Sequence, residues 1–126
     1  MDEHNLLAKE IVDAAFHIHC KVGPGLFESA YEKIMEYELL KRGLSVERQV
    51  VMPIKYDDML LDAGFRADLV VDRKLVVELK SIEQVVDIHK KQLLTYLCLS
   101  GMKLGLLINF GEYLIKNGIT RIVNGL

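Results

Sequence analysis

The chain has 126 residues, of which 51% are apolar and 27% are charged. This balance is typical of a single globular domain and excludes disordered and fibrous proteins. Its 16 basic and 18 acidic residues give a net charge of -2, which excludes a protein that binds nucleic acid through gross positive charge alone. We therefore expect residues 1–126 to form one domain.

Cysteine content and hydropathy indicate the compartment. The two cysteines, Cys20 and Cys98, both lie in apolar stretches, and we expect them to be reduced core residues. The first residues are polar and acidic, unlike a secretory leader. No apolar run approaches the roughly 18 residues of a membrane-spanning helix. These features predict a cytoplasmic protein with no membrane partner.

The first third of the chain predicts two helices. Apolar residues recur at helical spacing across residues 3–20, and Gly23, Pro24 and Gly25 then interrupt the pattern. A second amphipathic pattern covers residues 26–42. It ends at Gly43, which follows two cations and is free to adopt a positive φ.

The pattern then changes to that of β-strands. We predict strands over residues 46–56, 60–71 and 75–80, joined by turns at residues 57–58 and 72–74. Pro53 lies within the first of these strands. Because proline cannot donate to a ladder, this strand should lie at a sheet edge or contain a bulge at that point.

The last third predicts one helix and two strands. Asp87 is a candidate N-cap for a helix over residues 88–100, which Gly101 ends. The dense apolar run of residues 104–110 predicts a central strand. Residues 113–123 predict a hairpin around Asn117 and Gly118, a strong type I′ signal. The order is α-α-β-β-β-α-β-β, which predicts an α/β fold with a mixed sheet flanked by helices.

Charged residues on two neighbouring strands suggest a metal site. Glu78 and Lys80 are two residues apart, so they project from one face of their strand. Asp68 lies on the preceding strand and shares that face only if the connection has an odd length or contains a bulge, and we expect a bulge beside the site. Two carboxylates suit Mg²⁺ or Mn²⁺, and a lysine can assist a bound water. The alternative is a solvated sheet face with an ordinary Glu–Lys pair.

Residues elsewhere add to this set, and each also has a structural interpretation. Glu28 begins the second helix, where a carboxylate also favours the helix dipole. Gln92 and Tyr96 are one turn apart and point the same way, as helix-edge residues also do. Arg66 lies two residues before Asp68, and it can neutralise a phosphate or pair with a carboxylate.

Taken together, Asp68, Glu78-x-Lys80 and Gln92-x-x-x-Tyr96 resemble the PD-(D/E)XK nuclease superfamily. The spacing Gly25-x-x-Glu28-x-x-Tyr31 resembles the GxxExxY family within it. The resemblance covers nearly the whole chain and implies a restriction-endonuclease-like core. It also implies a metal-dependent nuclease that acts on nucleic acid, with DNA as the expected substrate.

The resemblance implies a role for each matching residue. Asp68, Glu78, Glu28 and the backbone carbonyl of Leu79 match the ligands of Mg²⁺ or Mn²⁺, and Lys80 matches the catalytic lysine. The expected contacts with substrate are Gln92, Tyr96, Arg66 and Tyr31.

Two further expectations concern assembly and activity. Because the chain is small and slightly acidic, a homodimer would give it more surface with which to hold nucleic acid. The alternative function is a catalytically inactive nuclease fold that serves as a binding or regulatory module. A third interpretation is a structural α/β protein whose charged strand face is only solvated.

Overall fold

The computed structural model describes residues 2–126, apart from the side chain of Ala63. Its elements are α1 (Glu3–Val22), α2 (Glu28–Lys41), β1 (Val46–Tyr56), β2 (Met59–Val71), β3 (Leu75–Lys80), α3 (Asp87–Ser100), β4 (Leu104–Asn109), a 3₁₀ helix (Ile115–Gly118) and β5 (Ile119–Val123). This order confirms the predicted α/β fold. None of the helices within residues 2–126 has both the length and the apolar character needed to cross a bilayer.

The five strands form one mixed sheet in the order β1-β2-β3-β4-β5. β3 and β4 are parallel and are connected through α3, whereas the other neighbours are antiparallel. β1 is an edge strand, and its pairing with β2 shifts register between Met52 and Ile54. Pro53 therefore lies both at an edge and at an irregularity, as the sequence predicts.

Helices cover both faces of the sheet. One core cluster joins α1 and α2 to side chains such as Leu75, Val77 and Ile108. The other joins Leu93 and Leu97 of α3 to the opposite face. All six residues of β4 are buried, which confirms the prediction of a strand covered on both faces.

Two local predictions at chain turns are wrong. Asp87 is the first residue of α3, and the cap is Val86, whose N–H donates to Nδ1 of His89 at 3.1 Å. Asn117 and Gly118 lie in the 3₁₀ helix rather than in a hairpin. A Cβ on Gly118 would stand 2.4 Å from the carbonyl oxygen of Asn109. Close packing against β4, not a positive φ, therefore explains this glycine.

The prediction that the cysteines are core residues is also wrong. Cys20 and Cys98 are free thiols, but both are exposed. Cys20 lies outside the buried stripe of α1, and Cys98 follows the buried Leu97 on α3. Cys98 lies between two leucines and Cys20 between His19 and Lys21, and the helical period turns both away from the core.

Candidate active site

The connection between β2 and β3 places Asp68 opposite Glu78. The strands pair in constant register from Val71 and Leu75 to Leu69 and Val77, so the next opposed residues are Asp68 and Glu78. The connection has three residues, and Asp72 and Arg73 in it have positive φ values of 51° and 57°. The sequence allowed either an odd-length loop or a bulge at this connection, and the structure has an odd-length loop.

An irregularity nevertheless lies beside Asp68. Ala67 and Val70 pack in the α3-side cluster, whereas Leu69 packs in the opposite one. In a regular strand Ala67 and Leu69 would share a face, so the alternation of β2 changes at Asp68. Gln49, across from it on β1, has a φ of 53°. The register of β1 and β2 is the same on both sides of this point, from Arg48 with Leu69 to Val50 with Ala67. The prediction of a bulge beside the site is therefore wrong, and the irregularity is a change of alternation without a change of register.

The carboxylate of Asp68 occupies the gap between β2 and β3. Its Oδ2 accepts a hydrogen bond from the N–H of Leu79 at 2.8 Å. The N–H of Asp68 in turn donates to Oε1 of Glu78 at 3.4 Å. Side chains thus replace main-chain pairing beyond Leu69 and Val77, and the two strands part at this point.

Glu78 holds its proton more tightly than an ordinary glutamic acid does. Burial of its carboxyl, together with the negative charge of Asp68, raises the pKa of Glu78 to about 8, and the ammonium of Lys80 opposes this effect only in part. When both carboxyl groups are ionised, Asp68 and Glu78 carry one more negative charge than Lys80 neutralises. A divalent cation relieves such repulsion, and Mg²⁺ is often bound by one or two carboxylates with several waters. The donors present therefore fit Mg²⁺ or Mn²⁺.

The structure does not bring Glu28 to this pair. Glu28 is an exposed residue at the start of α2, and it lines a cavity of about 800 Å³ beside Ser81. Within residues 2–126, no three histidine, cysteine or acidic side chains are grouped as metal ligands would be. The predicted set of metal ligands is thus reduced to Asp68, Glu78 and the carbonyl of Leu79.

Tyr31 lies in the core instead of at a surface that substrate can reach. Its side chain is 0% exposed, and its ring stacks on Phe110 with 4.3 Å between centroids. Its hydroxyl donates to the carbonyl of Gly23 at 2.6 Å and accepts from the N–H of Leu26 at 3.2 Å. Tyr31 therefore holds the loop before α2, in place of the predicted contact with substrate.

The remaining predicted residues lie on β2 and α3. Arg66 is exposed on β2, opposite Val51. Tyr96 is half-buried and stacks on Phe65 with 4.0 Å between ring centroids, while Gln92 is exposed one turn earlier. Arg66 and Gln92 are thus accessible to a ligand, and the Tyr96 ring is used mainly for packing.

Two residues that were not predicted from the sequence, Gln49 and Glu32, lie next to the site. Nε2 of Gln49 donates to Oε1 of the buried Glu32 at 2.8 Å and lies 3.5 Å from Oδ1 of Asp68. Glu32 follows Glu28 by one helical turn, a spacing that could have indicated it. Gln49 gave no such signal, because its orientation depends on a positive φ within a strand.

A family model described as the PD-(D/E)XK nuclease superfamily matches residues 5–122. The matched region contains the whole of the Asp68, Glu78 and Lys80 group. No curated protein and no solved structure matches the chain at a significant level.

Proposed function

Since the chain belongs to the PD-(D/E)XK nuclease superfamily, we propose that it is a metal-dependent nuclease with its centre at Asp68, Glu78 and Lys80. The observation that supports this most strongly is the contact of Asp68 with Glu78 where β2 and β3 part. Holding an acidic group in a buried site beside a second carboxylate disfavours its ionisation and lowers stability above its pKa, so function is the simplest reason to keep the pair.

The residues that would hold the cation are the carboxylates of Asp68 and Glu78 and the carbonyl of Leu79. A bound Mg²⁺ or Mn²⁺ would supply an acidified water and charge stabilisation for a phosphate. The N–H of Leu79 fixes one oxygen of Asp68 at 2.8 Å, and Gln49 approaches the other. Asp68 is therefore oriented before any ligand arrives.

Lys80 lies beside the proposed metal ligands at the end of β3. The N–H of Phe110 donates to its carbonyl oxygen at 2.8 Å, which fixes the backbone there. Its ammonium is close enough to Glu78 to offset part of the rise in the pKa of that carboxyl. We assign Lys80 the roles of orienting the attacking water and stabilising charge on the phosphate.

The finer assignments extend this proposal. DNA is the proposed substrate, with Arg66 and Gln92 as contacts to its backbone, and the loop that Tyr31 holds supports placement in the GxxExxY family. A cytoplasmic homodimer would offer a larger binding surface than one chain with a net charge of -2.

A second candidate is an inactive nuclease fold that binds a partner. It is favoured by one observation: Glu28 is not grouped with Asp68 and Glu78 among the described residues. On this reading the site would retain its charged residues but bind no cation.

A titration with Mn²⁺ separates the two functions without a choice of substrate. We expect paramagnetic broadening of amide signals centred on Asp68 and Leu79 in the ¹⁵N-labelled protein. The variant Glu78→Ala should abolish it, whereas the control Glu47→Ala, at an exposed position on β1, should not. Diffuse broadening, or broadening unchanged in Glu78→Ala, would favour the binding module.

Hydrolysis is the second stage of the test. With DNA and Mg²⁺, Lys80→Met should lose cleavage while it keeps the Mn²⁺ broadening, because lysine is assigned to the reaction and not to the metal. Equal cleavage by Lys80→Met would remove Lys80 from the mechanism.

A further inference from the structure

A cavity of about 800 Å³ lies next to the proposed centre. Residues 24–29 before and at the start of α2 form one side, and residues 81–83 after β3 form the other. Ser81 directly follows Lys80, and its hydroxyl donates to the carbonyl of Leu26 at 2.5 Å. The cavity is therefore held at a fixed position relative to the end of β3.

The far wall of the cavity is rigid. The buried Asn109 accepts from the N–H of Ile82 at 3.1 Å and donates to its carbonyl at 3.0 Å. Gly111 packs so closely that a Cβ there would stand 2.1 Å from the carbonyl oxygen of Ile82. The shape thus exists before a ligand binds, which lowers the entropic cost of binding.

An exposed aromatic ring forms part of the cavity. Phe27 lines it and is 85% exposed. Every nucleobase has a π-face, so an exposed ring beside a nuclease centre can act as a stacking platform.

The charges of the cavity select against phosphate. Among residues 2–126, the ionisable side chains that line it are those of Glu28 and Glu83, and no lysine or arginine is among them. Carboxylates repel a phosphate but accept hydrogen bonds from exocyclic amines, such as N4 of cytosine. The side chains of the lining therefore favour the base of a nucleotide over its phosphate.

We propose that this cavity receives an unpaired nucleobase, which stacks on Phe27 with its exocyclic amine towards Glu83. The inference rests on the proposed nuclease function and narrows its substrate to nucleic acid with a single-stranded segment. A base inside a duplex is stacked on its neighbours and cannot enter. Stacking also supplies affinity that a chain with a net charge of -2 does not gain from phosphates.

A fluorescence experiment tests the stacking directly. The chain has no tryptophan, so Phe27→Trp introduces a single reporter at an exposed position. Titrated in EDTA, which prevents cleavage, oligo-dC should quench its emission more strongly than oligo-dT, and a blunt duplex should quench it little. The matched control is Tyr37→Trp, also exposed at 68% but ten residues further along α2, and it should not be quenched.

Binding of labelled oligo-dC by anisotropy provides the second readout. Phe27→Ala should weaken binding about tenfold, Phe27→Tyr should restore it, and Tyr37→Ala should leave it unchanged. Glu83→Gln should reduce the preference for oligo-dC over oligo-dT.

Three outcomes would overturn the proposal. They are equal quenching by duplex and single strand, unchanged affinity in Phe27→Ala, and a blue shift of the Phe27→Trp emission with protein concentration alone. The last would identify a protein interface. None of them affects the Mn²⁺ titration of the wild type, so a failure here is distinct from a failure of the nuclease proposal.

Discussion

A hydrogen bond links Asp68 of β2 to Glu78 of β3 at the point where the backbone pairing of the two strands ends. The N–H of Asp68 donates to Glu78, while the carboxylate of Asp68 accepts from the N–H of Leu79. These contacts keep two acidic groups together that would otherwise separate. The metal-free protein therefore carries electrostatic repulsion at its proposed centre once pH exceeds the pKa of Glu78, about 8.

The variant Glu78→Gln should stabilise the metal-free protein at alkaline pH. The pKa of Glu78 is raised from 4.5 to about 8 in the fold, so the unfolded chain releases a proton that the folded chain keeps between these values. The free energy of unfolding should thus fall as pH rises through this interval. At pH above about 8, Glu78→Gln should exceed the wild type by about 1–2 kcal/mol.

Urea unfolding in EDTA at the two ends of this pH interval measures the effect. The control Glu47→Gln changes an exposed residue of β1 and should follow the wild type at both pH values. If Glu78→Gln kept the pH dependence of the wild type, another group would be its source.

Metal affinity should show the opposite dependence on pH. A cation competes with the proton on Glu78, whose pKa is raised to about 8 by burial and by Asp68. The affinity for Mn²⁺ should therefore increase as pH rises towards 8 and level off above it. Relaxation of water protons by Mn²⁺ measures this affinity, and a flat profile would contradict the assignment of Glu78 as a ligand.

The variant Asp68→Asn should lower the pKa of Glu78. An asparagine keeps an acceptor for the N–H of Leu79, but it removes the negative charge that helps raise this pKa. Burial remains, so the pKa should stay above 4.5. Carboxyl ¹³C chemical shifts of Glu78 against pH give the midpoint. An unchanged midpoint would mean that burial alone accounts for the shift.

The variant Tyr31→Phe should loosen the loop before α2 while the core stays packed. It removes the hydroxyl that bonds to Gly23 and Leu26, and it keeps the ring that stacks on Phe110. We expect a loss of about 1–2 kcal/mol in the free energy of unfolding and faster hydrogen exchange at the amide of Leu26. Tyr37→Phe, at an exposed site, is the matched control.

The variant Arg42→Met should weaken the packing of α2 on α1. One guanidinium nitrogen of Arg42 donates to Glu10 at 2.9 Å and to Asp13 at 2.8 Å. Its loss should cost about 1 kcal/mol of stability at low salt and less at 1 M salt, where such pairs are screened. Equal losses at both salt concentrations would mean that the hydrogen bonds of the guanidinium, and not an attraction that salt screens, account for the loss.

Local pattern was enough for most of the fold. The apolar stripe of α1 and the dense run of β4 are periodicities within one element, and the structure confirms both. Pro53 also indicated an edge position or a bulge in β1, because a residue without an N–H cannot donate to a ladder in any strand. The shared face of Asp68 and Glu78 was predicted only on the condition of an odd-length loop or a bulge, and the three-residue connection meets that condition.

Contacts between distant residues could not be predicted in this way. Gln49 reaches Glu32 and Asp68 only because its φ is positive and two strands change their alternation together. The pair Asn117-Gly118 has the sequence of a hairpin turn, but the need for glycine at position 118 comes from its close approach to Asn109. The sequence by itself determined the three helices, the first four strands and the chain positions of the charged residues. Tertiary packing decided which carboxylates meet and which aromatic rings stay exposed, because burial and side-chain contact depend on residues far apart in the chain.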